Sequence, residues 1–159
     1  MRLEQLSSSY FEQSASLLKS AWQEFAHNTE LAESSRFDKS DACNWLSNFM
    51  NNGGIGFVAV DGDLVAGVVT CSVVDSPGYF RDPKHLLVND IAVLEKYRRQ
   101  GIAQKLEDRI EQYARDNDVN LVLGEIYAYN EASRSLMRKI GRRLAYEVWY
   151  KRLSDDQST

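Results

Sequence analysis

Cysteine, proline and histidine are scarce in this chain, and each shortage removes a class of chemistry. The two cysteines, Cys43 and Cys71, stand apart without metal-ligand spacing, so they read as reduced structural thiols. The two histidines, His27 and His85, lie outside any Cys/His/carboxylate pattern, and no Gly-x-Ser-x-Gly elbow occurs. Neither metal nor serine-hydrolase chemistry has support. Both prolines, Pro77 and Pro83, fall in one segment that reads as a loop. No apolar run approaches the length that spans a bilayer, and Met1-Arg2-Leu3-Glu4-Gln5-Leu6 carries charge where a signal peptide needs an apolar core. A cytoplasmic protein with no membrane partner is expected.

Positive charge is also in deficit. With 19 Lys and Arg against 23 Asp and Glu, the formal charge is -4, whereas a general nucleic-acid binder needs a basic surface to neutralise phosphate. No nucleic-acid partner is expected, and the acidic balance is compatible with a cationic substrate. What is present suffices for one core: 43% of the 159 residues are hydrophobic and 26% charged, without repeat or low-complexity stretch. A single domain over residues 1–153 is expected, followed by a polar tail, Ser154 to Thr159.

Arg2 to Leu6 reads as a short first strand. Ser9-Tyr10-Phe11-Glu12 has the form of a capping box, and Phe11, Ala15, Leu18, Trp22 and Phe25 recur at helical spacing, which predicts a helix with one apolar stripe. After a polar stretch from His27 to Lys39, Ala42, Trp45, Leu46 and Phe49 predict a shorter amphipathic helix that Gly53-Gly54 stops. Ile55 to Val60 and Leu64 to Val74 read as strands of a hairpin turning through Asp61-Gly62. The loop Asp75 to Lys84, whose Tyr79, Phe80 and Arg81 are placed to overhang a site, leads into a strand from His85 to Val93. Ile102, Leu106, Ile110, Tyr113 and Ala114 give the next helix an apolar face, with Glu107, Asp108, Glu111, Arg115 and Asp116 on its solvated side. Leu121 to Tyr127 reads as a strand, and Asn130 caps a helix from Glu131 to Ile140. Leu144 to Leu153 alternates as a last strand with one buried face, and its aromatics suit a homodimer contact.

The most informative stretch runs from Asn89 to Ala103, where a strand-like apolar run meets a basic, glycine-containing turn that opens an amphipathic helix. Gly101 and Ala103 let the backbone approach a ligand. The helix start leaves N–H groups free at the positive end of its dipole, a seat for a pyrophosphate. Taken alone, the turn reads as readily as an ordinary strand-to-helix connection with surface arginines, and a binder of nucleotide phosphates unrelated to coenzyme A is a further alternative. Its form from Arg98 to Ala103, Arg-x-x-Gly-x-Ala, resembles the acyl-CoA signature of the GNAT family of N-acetyltransferases, Gln/Arg-x-x-Gly-x-Gly/Ala. Downstream, Asn130, Ala132, Leu136, Lys139 and Gly141 fall at the offsets of a second GNAT element, with the alanine one place early. The resemblance covers about Leu64 to Leu153 well and the N-terminal third only in its order of elements.

That resemblance implies an α/β fold of the GNAT type. It would have a mixed, mostly antiparallel sheet of six or seven strands, about four helices on both faces, and central strands, His85 to Val93 and Leu121 to Tyr127, splayed around acetyl-CoA. It implies an acetyltransferase that passes acetyl directly from acetyl-CoA to a primary amine without a metal. Backbone groups at Ile91, Ala92 and Val93 would pair with the pantetheine arm and polarise the thioester carbonyl. The amides of Arg99, Gln100, Gly101, Ile102, Ala103 and Gln104 would hold the pyrophosphate, with Arg98 and Arg99 adding charge. Asn130 would contact the cofactor arm while capping its helix. Met137 stands where many members carry a tyrosine that protonates the departing thiolate, so Met137 would pack against cofactor or acceptor. Tyr127 and Tyr129 are then the candidate acids, although a thiol is acidic enough to leave unaided. Arg142 replaces the usual phenylalanine after Gly141 and removes a core anchor, with its charge expected near the final strand. Glu125 and Asp90 are the candidate bases for the acceptor amine. The first two helices and their linker usually shape the acceptor site in this family, which puts Trp22, Phe25, His27, Glu30, Glu33 and Trp45 around it. A small-molecule amine is the expected acceptor. Protein lysines or N-termini, and a non-catalytic CoA-binding sensor domain, are the alternatives.

Overall fold

The computed structural model describes residues 1–32 and 38–152. In chain order it forms β1 (Arg2–Gln5), α1 (Phe11–His27), α2 (Lys39–Asn51), β2 (Ile55–Asp61), β3 (Leu64–Asp75), β4 (Lys84–Val93), α3 (Ile102–Asp116), β5 (Val122–Gly124) and α4 (Glu131–Lys139). The strands make one sheet in the order β1-β2-β3-β4-β5. The pairs from β1 to β4 are antiparallel, and β5 runs parallel to β4 after the α3 crossover.

The sheet is therefore mixed and has five strands among the described residues, not the six or seven expected. The missing strand is the last one. Residues 144–152 are exposed throughout and pair with nothing in the sheet. Their alternation needs one covered face, and no element among the described residues covers it. Leu153, the tail from Ser154 and the acceptor-side candidate Glu33 lie outside the described residues.

Strand alternation sorts the core onto the two faces of the sheet. Val58, Val60, Val65, Val68 and Ala92 pack with Leu17, Leu18 and Leu46 under α1 and α2. Phe57, Ala59, Val69, Leu86 and Val88 pack with Ile102, Leu106, Ile110 and Ala114 of α3 on the other face. Gly67 permits the second contact to be close: a Cβ there would stand 3.0 Å from Ile102 Cγ2 and 3.2 Å from Leu106 Cδ1. The first turn of α3 is thus pressed onto β3, which fixes where that helix begins.

The expected hairpin turn is present, with Asp61 paired to Leu64 and Gly62 at φ +61°. Gln13 of α1 clamps it, accepting from Val65 N–H and donating to the Asp63 carbonyl, both at 2.9 Å. The Ser9 capping box does not form. A short 3-10 turn over Ser8–Tyr10 leads into α1 instead, and Ser9 Oγ hydrogen-bonds Ser7 Oγ at 2.8 Å. Asp38 supplies the cap that the sequence reading lacked for α2, accepting from Asp41 N–H at 2.8 Å.

Glu107 is a second correction. Placed on the solvated side of α3 by helical periodicity, it is buried and hydrogen-bonded by Arg142 at 2.5 Å. Arg142 therefore fills the position of the missing aromatic anchor with a charge that the α3 carboxylate answers. The loop after β3 is also displaced from its expected role. It lies at the start of β4, where Phe80 packs by His85, roughly 30 Å of strand away from the turn that follows Val93.

Candidate active site

The cleft begins where β4 and β5 part. Their pairing runs only from Leu86 opposite Val122 to Val88 opposite Gly124. On the other side of β4, Thr70 faces Asp90 while Cys71 faces Val88, so Asn89 is the extra residue of a β-bulge. A bulge bends its strand and increases local twist, and this one sits at the last residue that β5 can reach. Residues 89–93 are thereby left with one ladder neighbour, β3. The strand predicted to continue to Tyr127 ends at Gly124 because the chain turns toward α1: the Tyr127 ring stacks on Phe25 at 4.1 Å. Peptide groups of Ile91, Ala92 and Val93 consequently border an open gap, as an acyl chain seeking backbone partners would need.

Asp90 occupies the bend. Trp22 Nε1 donates to its Oδ1 at 2.7 Å, and Thr70 Oγ1 to its Oδ2 at 3.5 Å. Burial pushes this carboxyl above the ordinary carboxylate range, with both donors pulling it back. A carboxyl raised by burial is a stronger base than an exposed one, which suits it to accept a proton. Glu125 is exposed, on the segment that leaves β5.

Tyr127 and Tyr129 stack nearly parallel, 6.2 Å between centroids, so Phe25, Tyr127 and Tyr129 form one wall of the gap. Both hydroxyls are pushed above the usual tyrosine value. At Tyr127 burial leads, followed by the charges of Glu125 and Asp90; at Tyr129 burial is followed by Glu24 and Tyr127. Each therefore keeps its proton at neutral pH. Met137 is half-buried on α4. Asn130 caps that helix, its Oδ1 accepting from Ser133 N–H at 3.0 Å.

The turn after β4 has the shape of an anion cradle. Arg99 and Gly101 both have left-handed backbones, at φ +61° and +79°, and a Cβ on Gly101 would meet nothing within 4 Å. The first bond of the α3 ladder runs from Lys105 N–H to the Gly101 carbonyl, 3.0 Å. The amides of Ile102, Ala103 and Gln104 precede it and point out of the helix start. Gln100 is exposed, its side chain folded onto the Lys96 carbonyl at 2.8 Å. Arg99 is exposed as well. Arg98 is tied down instead: it donates to the Val93 carbonyl and to Glu24 Oε2, both at 3.2 Å. It thus links the phosphate turn to α1.

A second set of aromatics leads away from Asp90. Trp22 meets Trp45 edge to face at 5.3 Å, and Trp45 stacks on Phe49 at 5.0 Å. Trp45 and Phe49, with Asn48, Asn52, Ser72 and Val73, line a groove of about 340 Å³. Ser72 donates to Asn89 Oδ1 at 3.0 Å, which joins the groove to the bulge. Of the acceptor-side residues read from sequence, Trp22, Phe25 and Trp45 gather here, whereas His27 and Glu30 stay exposed near the end of α1. Thr70, Ser72 and Asn48 were missed. Thr70 and Ser72 become visible only through the β3–β4 register, which one sequence does not print.

Among the described residues no cluster of three His, Cys, Asp or Glu could hold a metal ion, and no helix is long and apolar enough to cross a membrane.

The model of the acetyltransferase (GNAT) family matches residues 15–141 of the chain. No curated protein gives a significant sequence match. Among solved structures, a mutant of the BH1408 protein from Bacillus halodurans superposes with a TM-score of 0.79 at 16% identity, covering 97% of this chain and 100% of that one. The apo aminoglycoside 6'-N-acetyltransferase AAC(6')-IG from Acinetobacter haemolyticus gives 0.71 at 14% identity, over 98% of this chain and 100% of its own. The aminoglycoside N-acetyltransferase AAC(6')-Iy in complex with CoA gives 0.78 at 14% identity, over 95% and 93%.

Proposed function

The chain belongs to the GNAT family of acetyltransferases, and on that premise we propose that it moves an acetyl group from acetyl-CoA to the primary amine of a small, positively charged molecule. The observation that carries this reading is the bulge at Asn89, which lies where the β4–β5 pairing ends and next to Asp90. Peptide groups of Ile91, Ala92 and Val93 line the gap for the pantetheine arm, and the amides from Arg99 to Gln104 face a pyrophosphate. The cradle fits that group, since Gly101 leaves its approach open.

Asp90 takes the proton of the attacking amine. The amine nitrogen bonds to the thioester carbon, the carbon–sulfur bond breaks, and the Tyr127 hydroxyl gives its proton to the departing sulfur before recovering one from water. Met137, without a proton to give, packs beside the arm, and Asn130 adds a contact to it. Tyr129 and Glu125 border the acceptor side, where carboxylates and aromatic faces favour a cation. Two of the chains of similar fold are aminoglycoside N-acetyltransferases, which supports a small-molecule acceptor. Free thiols at Cys43 and Cys71 accord with a cytoplasmic place, and the chain acts as one domain over residues 1–153 in paired copies.

The test is CoA thiol release with mass detection of product, from acetyl-CoA and a panel of amino acids, polyamines, aminoglycosides, lysine peptides and N-terminal peptides. Turnover confined to a small cationic amine is expected. Turnover confined to the peptides would make this a protein acetyltransferase, and saturable acetyl-CoA binding without any turnover would favour a CoA-binding sensor domain.

A further inference from the structure

The groove between the end of α2 and β3 lies on the far side of Asp90 from the phosphate turn. Along β4 the turn follows Val93, residues 91–93 border the gap, and Asp90 comes next. The groove meets the strand beyond Asn89, through Ser72, which pairs with Leu87 and bonds Asn89. A donor that enters from the turn therefore leaves this side of Asp90 to the acceptor.

The bulge shapes that side. Thr70 and Ser72 are two residues apart on β3 and so share a face, and they donate to Asp90 and Asn89 respectively. Neighbours on a regular strand point to opposite faces, whereas the extra residue of the bulge lets Asn89 and Asp90 both turn toward α1 and α2. Asn89 Oδ1 is taken by Ser72, which leaves its Nδ2 donors to a ligand. The β3 partners of the two side chains stand about 7 Å apart, the spacing of alternate strand residues. An amine at Asp90 is thus matched by a hydrogen-bonding site one small ring away.

The lining of the groove states what that ring is. None of its residues is ionisable, so a second ammonium would be desolvated there without a counter-charge. Trp45 and Phe49 offer two stacked rings, 5.0 Å apart and 11° from parallel. Gly54 makes room for this pair, since a Cβ there would collide with the Phe49 ring. Asn48 and Asn52 add amides beside Ser72. Apolar C–H faces suit the aromatic rings, and hydroxyls suit the amides and Ser72. The volume of about 340 Å³ is that of a small-ligand pocket.

We propose that this groove holds the uncharged, hydroxylated ring of an amino sugar whose single amine reacts at Asp90. The proposal rests on the acetyl transfer proposed above and names its substrate class, setting one-ammonium sugars above polyamines.

Two-dimensional NMR of the full chain with CoA bound tests it, following the indole N–H of Trp45, which a Trp45→Phe variant identifies among the three tryptophans. Glucosamine is expected to shift that signal saturably. Cyclohexylamine, a ring without hydroxyls, and spermidine, charge without a ring, should bind there about tenfold more weakly or worse. Ser72→Ala should weaken glucosamine about 2–10-fold with unchanged circular dichroism, and Asn48→Asp should let spermidine move the Trp45 signal. A signal that glucosamine leaves in place, or that spermidine moves equally in the wild type, would overturn the proposal. Thiol release from acetyl-CoA, read on the same samples, tests the transfer separately: glucosamine bound at Trp45 with no thiol released would support the groove as a sugar site and overturn acetyl transfer to it.

Discussion

Asp90 would rather be neutral than charged where it sits, because burial outweighs the help of Trp22 and Thr70. Between the ordinary carboxylate value and the raised one, the native state holds a proton that the unfolded chain has released, so stability falls as pH rises through that window. Above the window the full cost is present. Asp90→Asn removes it, and the amide oxygen still accepts from Trp22. The variant is expected to melt no lower than the wild type near pH 7 and to bind CoA unchanged, but to turn over amine about 10²–10⁴-fold more slowly. Unchanged turnover would take the base role away from Asp90. Glu107 is a second carboxyl that burial pushes up, here with a charged partner, Arg142, pulling it back. Arg142→Ala strands that charge and should cost about 3–5 kcal/mol in urea unfolding. The double change Glu107→Leu with Arg142→Phe should recover most of the loss, as apolar pairs often replace buried ions without penalty.

At the scale of elements, the proposed pyrophosphate cradle depends on how α3 begins. Gly67 lets its first turn approach β3, and Gly101 ends the preceding turn at φ +79°. A β-branched residue at that φ is strained, at about 1–2 kcal/mol, and its side chain would stand in the open space before the amides. Gly101→Val is therefore expected to weaken CoA binding tenfold or more in calorimetric titration. Gly101→Asn should be milder in strain, because asparagine tolerates the left-handed region. If valine binds CoA as glycine does, the cradle is not where the pyrophosphate sits. Sequence periodicity found these elements wherever the pattern was local: the stripe of α1, the Asp61-Gly62 turn and the Asn130 cap. It failed at Glu107, where a helix face that is polar by spacing is buried because Arg142, 35 residues away, comes back to meet it.

For the whole molecule, the glycine turn into α3 and the capped start of α4 were legible, because the signals at Arg98 to Gly101 and at Asn130 are each local. The opening of the sheet was not, since the bulge at Asn89 and the short β5 exist only in the register between strands distant in sequence. The last strand was misread for the same reason: alternation from Leu144 onward states that a partner is needed, without stating which. These long-range features are the ones a ligand should report. If acetyl-CoA occupies both the cradle and the gap, CoA at a hundred times its Kd adds about 2.7 kcal/mol to the native state. For a chain of this size each kcal/mol raises Tm by about 2–4 °C, so a rise of roughly 5–11 °C is expected. Hydrogen exchange should then slow at two places together, the amides of Ile102 to Gln104 and those of residues 89–93, which lack a β5 partner. ADP should protect the first and leave the second exchanging. Equal protection patterns for ADP and CoA would mean that only phosphate is held, and the gap beside Asp90 would lose its role as the acyl site.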